Sequence, residues 1–218
     1  MISLLESNMY EVIERIDSVF GVITNRLLPA FSWLEEEADG VEKKKLQENR
    51  RIFDPSFMDE ADVYEDAYHA GIKHYQIQKE MKMEFQNSAL TWMFHLFEKS
   101  CTEIFCTDDG NRKIEILIYY GLDRSSASNW YTCNKEMRLL ANAIKHGSGA
   151  SHKEAESLMP DLFSDNPRFL SNSRIYIPTK KLRIYMIAMR SFWVEFFSIW
   201  WSKNMNGTLT LPSLPKNT

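Results

Sequence analysis

From Asp59 to Cys106 the chain runs without a proline and with a single glycine, Gly71. Nearly fifty residues without a breaker leave little room for the frequent turns of a β fold. Apolar residues inside the stretch, Leu90, Met93, Phe94, Phe97 and Ile104, recur at three- and four-residue steps. That period puts them on one face of a helix. The segment is expected to form one or two long helices, with any break at Gly71. The whole chain has only eight glycines and seven prolines in 218 residues, most of them outside the periodic stretches. The fold class expected is therefore all-α, a helical bundle of long antiparallel helices.

The flanking segments fit that expectation. Residues 2 to about 28 carry Leu4, Leu5, Met9, Val12, Ile13, Ile16, Val19, Phe20 and Ile23 at helical spacing, opposite Glu6, Glu11, Glu14, Arg15 and Asp17. This is an amphipathic helix that Pro29 breaks or kinks. Residues 35–51 are dense in charge, with Lys43, Lys44 and Lys45 in a row. Such a run is a solvated face or a surface for a partner. Asp54-Pro55 marks a turn, and Asp59-Glu60 starts the long helix. Ile114 to Tyr120 forms a short apolar element, and Gly121 to Asn129 a loop. A helix follows from about Asn129 to His146, then a short one ended by Pro160, with Leu162 and Phe163 as anchors. Ser171 to Pro178 reads as extended. Lys180 to about Lys203 forms a last helix carrying Trp193, Phe196, Phe197, Trp200 and Trp201. That stripe suits a core or an oligomer interface, and Arg183, Arg190 and Glu195 make it too charged to cross a bilayer. The tail from Asn204 is expected to be loose.

Charge narrows the function. Lys and Arg total 26 and Asp and Glu 30, a net charge of −4. A protein gripping a long stretch of nucleic-acid backbone is usually basic, so contact with nucleic acid must be local. Cys101, Cys106 and Cys133 form an odd set without metal-type spacing. With no secretory leader at the N-terminus, they read as reduced thiols of a cytoplasmic protein. Glu65, His69 and His74 could suggest a metal site, because Glu65 and His69 are four residues apart. The second matching pair of a di-metal bundle is missing.

The chemistry-bearing stretch is Asn134 to Gly149. Met137, Leu140, Ala141 and Ile144 form one helical face, and Gly147 and Gly149 end the helix. Arg138, Asn142 and His146 lie in one i, i+4, i+8 row. A cation, an amide and an imidazole are thus aligned, with the imidazole at the end where the macrodipole favours positive charge. The same row is also what an ordinary solvated last turn would carry. Glu98 falls in the apolar run Trp92 to Glu98. Buried, it would need a partner, with Arg138 and Lys145 as candidates; at the edge of the stripe it would be exposed.

Arg138-Leu-Leu-Ala-Asn142-Ala-Ile-Lys145-His146-Gly147-x-Gly149, followed by Met159-Pro-Asp-Leu-Phe163, resembles the HEPN superfamily (higher eukaryotes and prokaryotes nucleotide-binding). Phe94-His-Leu-Phe-Glu98-Lys is similar to the first core helix of that fold. The resemblance spans about residues 80–203. It implies a HEPN-like bundle over 80–204, a helical N-terminal extension over 1–79 and a tail over 205–218. It also implies a metal-independent endoribonuclease of toxin–antitoxin or phage-defence type. Such an enzyme needs no cofactor, acts as a homodimer on RNA, and is often held by an antitoxin. In that family an arginine and a polar residue precede the histidine. Here Asn142 matches the polar position and His146 the histidine. Ala141 stands at the arginine position, so Arg138 or Lys145 would supply the cation. The resemblance makes His146 the general acid or base, with Asn142, Arg138, Lys145 and Glu98 as its companions. Without the arginine, the alternative is a non-catalytic HEPN-like module that binds a partner protein or a nucleotide.

Overall fold

The computed structural model describes residues 2–164 and 174–205. Eight helices occupy most of them: α1 (Ile2–Val22), α2 (Leu34–Ile52), α3 (Glu60–Phe105), α4 (Gly110–Tyr120), α5 (Asn129–Tyr131), α6 (Arg138–His146), α7 (Ala150–Leu158) and α8 (Thr179–Met205). Two short strands, β1 (Phe163–Ser164) and β2 (Arg174–Ile175), pair antiparallel with Phe163 opposite Ile175. The all-α expectation holds. Among the described residues, no helix is long and apolar enough to cross a membrane.

The chain divides into two compact units. One contains the residues up to Thr24 and those from Gln86 onward; the other is Asn25–Phe85. The division expected after residue 79 is therefore not the one observed. The first 79 residues do not form one extension, because the apolar face of α1 is used in the larger unit. Met9, Val12, Ile13, Ile16, Val19 and Phe20 are all buried, and Arg190 of α8 donates to Asp17 at 2.8 Å.

In the larger unit, the second half of α3 packs beside α8. Gln86 donates to the Thr179 hydroxyl at 2.8 Å, the rings of Phe97 and Phe192 are 5.4 Å apart, and those of Phe105 and Phe196 are 5.1 Å apart. Contacts that advance together along both helices make this pair parallel. Phe97, Trp193, Phe196 and Phe197 are almost fully buried here, so the terminal aromatic stripe is core. Trp200 and Trp201 are half-buried beyond it. Burying a Phe or Trp side chain contributes about 1.5–3 kcal/mol or more by area alone, and edge-to-face pairs add about 0.5–1.5 kcal/mol.

The smaller unit is an antiparallel hairpin of α2 and the first part of α3. Lys45 pairs with Asp66 at 3.1 Å and His74 with Glu37 at 3.8 Å. The Asn49 amide donates to the Val63 carbonyl and to Asp66. The charge-dense run 35–51 is thus helical throughout. Gly71 does not interrupt α3, a single helix of 46 residues. A β-carbon there would lie 3.1 Å from the Ala38 carbonyl oxygen and from Cβ of Glu42. Glycine is present because α2 passes close by, not because the helix ends.

Caps follow the sequence. Asp109 accepts from the Asn111 amide to start α4, and Gly121, at φ 77°, ends it. Ser128 accepts from the Tyr131 amide to start α5. Of the extended stretch expected over 171–178, Arg174–Ile175 is strand. Its first residues, 171–173, and the tail beyond Met205 lie outside the described residues.

Candidate functional site

The Arg138–Asn142–His146 row is carried by α6, whose buried face is formed by Leu139, Leu140, Ala141 and Ala143. Met137 and Leu140 have no exposed surface, which fixes the helix azimuth. Between α5 and α6 the backbone widens into π-helical turns over Thr132–Met137. Side chains from these turns hold the base of α6. Glu136 accepts from Lys181 at 3.0 Å and from the Tyr185 hydroxyl at 3.2 Å, and Lys135 pairs with Glu154 of α7. Burial, with the Glu136 carboxylate next in order, pushes the Tyr185 phenol well above its usual range, so it stays a protonated donor.

With that face packed, the row points outward. Arg138, Lys145 and His146 are exposed and Asn142 is half-buried. None of the four makes a side-chain hydrogen bond or ion pair among the described residues. The helix closes through the Gly147 amide on the Ala143 carbonyl at 2.9 Å. Gly147, at φ 65°, takes a conformation that side chains rarely adopt. Gly149 then leads into α7, whose first turn has no side-chain cap. Three residues therefore separate the His146 imidazole from a set of first-turn amides, which are unsatisfied inside any helix.

Glu98 does not join this group. It is exposed, and its carboxylate lies 3.7 Å from His95 one turn away on α3. No contact with Arg138 or Lys145 is present among the described residues. Of the two placements open to it, the exposed one is observed: Glu98 falls just outside the stripe of Phe94, Phe97 and Cys101. Ala141 is 2% exposed and faces the core; the cations carried by α6 are Arg138 and Lys145, both exposed. The metal alternative finds its residues engaged apart: His69 lies 3.3 Å from Glu65, and His74 pairs with Glu37. Among the described residues no group of three or more His, Cys, Asp or Glu is placed to hold a metal ion.

A concavity away from this row gave no signal in the sequence. About 560 Å³ in volume, it is lined by Phe105, Ile116, Tyr120, Phe196, Phe197 and Trp200. Its charged rim is already satisfied, with Arg112 on Glu115 at 2.9 Å and Arg15 on Glu103 at 3.1 Å. None of the row residues lines it.

Compared with family models, curated proteins and solved structures, the chain matches none.

Proposed function

We propose that the chain is a metal-independent endoribonuclease of toxin or phage-defence type, with His146 as its general acid or base. The observation that carries this reading is the unengaged row: imidazole, amide and guanidinium, outward on one rigid helix face beside an uncapped helix start. RNA brings its own nucleophile. In the step envisaged, the 2′ oxygen attacks phosphorus, the bond to the 5′ oxygen breaks, and a cyclic phosphate and a free 5′ hydroxyl result. One proton leaves the 2′ hydroxyl and one reaches the 5′ oxygen. An imidazole titrates near neutrality and can serve either transfer. Arg138 or Lys145 would stabilise charge developing on the phosphate oxygens, and Asn142 would orient phosphate or ring. Pairing of two copies would supply an imidazole for each proton.

The test is cleavage of RNA by the purified chain in chelator, with products checked for a cyclic phosphate end. His146→Ala should lower the rate by about 100-fold or more with an unchanged circular dichroism spectrum. Equal cutting by this variant refutes the assignment. Ala141 supports a second reading, a non-catalytic module of similar fold that binds a partner protein or a nucleotide. Binding of RNA with no cleavage by the parent chain would favour it.

A further inference from the structure

The outer face of α2 has features that the hairpin does not use. Along the helix, Glu35, Glu36, Glu37, Asp39 and Glu42 crowd the first half, and Lys43, Lys44, Lys45, Arg50 and Arg51 the second, with only Glu48 breaking the pattern. Acidic residues at a helix start and basic ones at its end complement the macrodipole, but that effect is confined to the first and last turns. It does not account for Lys43 and Lys44 in the middle. Within the hairpin, Lys45 is used by Asp66 and Glu37 by His74. Glu35, Glu36, Asp39, Lys43, Lys44 and Arg51 are exposed and make no ion pair among the described residues.

Gly40 adds a second observation. It sits mid-helix and exposed, where glycine costs about 1 kcal/mol relative to alanine. Gly71 has its reason in the near approach of Ala38, whereas a β-carbon at Gly40 would meet nothing within 4 Å. A mid-helix glycine on an open face lets another backbone come close. At the two ends of α2, Trp33 and Ile52 are 65% and 70% exposed.

We infer that α2 pairs antiparallel with α2 of a second copy of this chain, across Gly40. The charge pattern selects that occupant. Turned end for end, the acidic half of one helix lies along the basic half of the other, twice over by symmetry. A parallel pair would set like against like. The same inversion sets Glu36 of each copy opposite Lys44 of the other, and Trp33 opposite Gln47. One 19-residue helix, about 28 Å long, offers a small contact, so the association is weak and concentration-dependent. It does not rest on the ribonuclease reading and uses none of its residues.

Sedimentation of the full chain over a concentration series tests this. The parent chain should dimerise, and less so near 1 M salt, where the screening length is about 3 Å. Glu35→Lys with Glu36→Lys, and separately Lys43→Glu with Lys44→Glu, should each weaken the dimer at least about tenfold. An equimolar mixture of the two variants should regain it. A parent chain monomeric at all concentrations, a dimer indifferent to both charge reversals, or a mixture that stays monomeric would each overturn the inference. The second of these would assign pairing to another surface.

Discussion

Replacing Gly71 by alanine sets two effects against each other, and the close approach of α2 decides between them. Removing a glycine from the interior of a helix should stabilise it by about 1 kcal/mol. At position 71, however, the new methyl would lie 3.1 Å from the Ala38 carbonyl oxygen and 3.1 Å from Cβ of Glu42. The Glu42 side chain starts at that atom and the carbonyl belongs to the α2 backbone, so neither can swing aside. The helices must separate by a few tenths of an ångström. In this hairpin the apolar contact is small, with Ala38, Val63 and Ala67 its most buried apolar side chains. Overpacking of a fitted contact costs about 1–3 kcal/mol, which exceeds the propensity gain. Gly71→Ala should therefore destabilise the hairpin by about 1 kcal/mol. Gly40→Ala, with open space around it in the single chain, should stabilise the monomer, at concentrations too low for pairing, by up to about 1 kcal/mol. Urea unfolding followed by far-ultraviolet circular dichroism, together with amide exchange on α2 peptides, reads both signs. If the two substitutions stabilise equally, the crossing at Gly71 is not a tight one and the reasoning is wrong.

Two further outcomes follow from burial and charge. Of the three thiols, Cys106 is exposed, while burial drives those of Cys101 and Cys133 upward from their usual range; mass spectrometry after alkylation of the native chain should show one label, on Cys106, and three only after unfolding. The Asp66 carboxyl is held below the ordinary aspartate range by the Asn49 amide first and by Lys45 next, so its contribution is present above about pH 4 and is lost as pH falls through the lower, folded value. Acid should loosen α2 from α3 in the parent more than in Asp66→Asn, as read by amide exchange.

The long helix could be read from the absence of breakers, and the face of α1 from its period, because both are local properties. What those faces meet is not local. The partner of α1 lies on α8, some 170 residues away in Arg190, so the chain had no mark saying that its first helix belongs with its last. Gly71 looked like an interruption for the same reason; its cause sits on α2. Helical period gives the direction of a stripe more firmly than its width, which is why it leaves Glu98 open between a buried and an edge position. The α6 row was fully visible in spacing, and its exposure follows from the apolar residues opposite it. The aromatic concavity was invisible, since its walls come from separate helices that only packing assembles.

The widened turns at Thr132–Met137 do more than join two helices. A π turn holds one residue more than the α turn it replaces, and each residue of helix advances the azimuth by about 100°. An extra residue taken up in a wide turn leaves the helix downstream at the azimuth it would have after ordinary α turns. Without that widening, the same residue count would rotate α6 by about 100°, turning the imidazole row toward the interior and bringing an apolar flank out. In this chain the direction of a potential reactive edge is thus kept by a turn several positions upstream that absorbs one residue without passing it on.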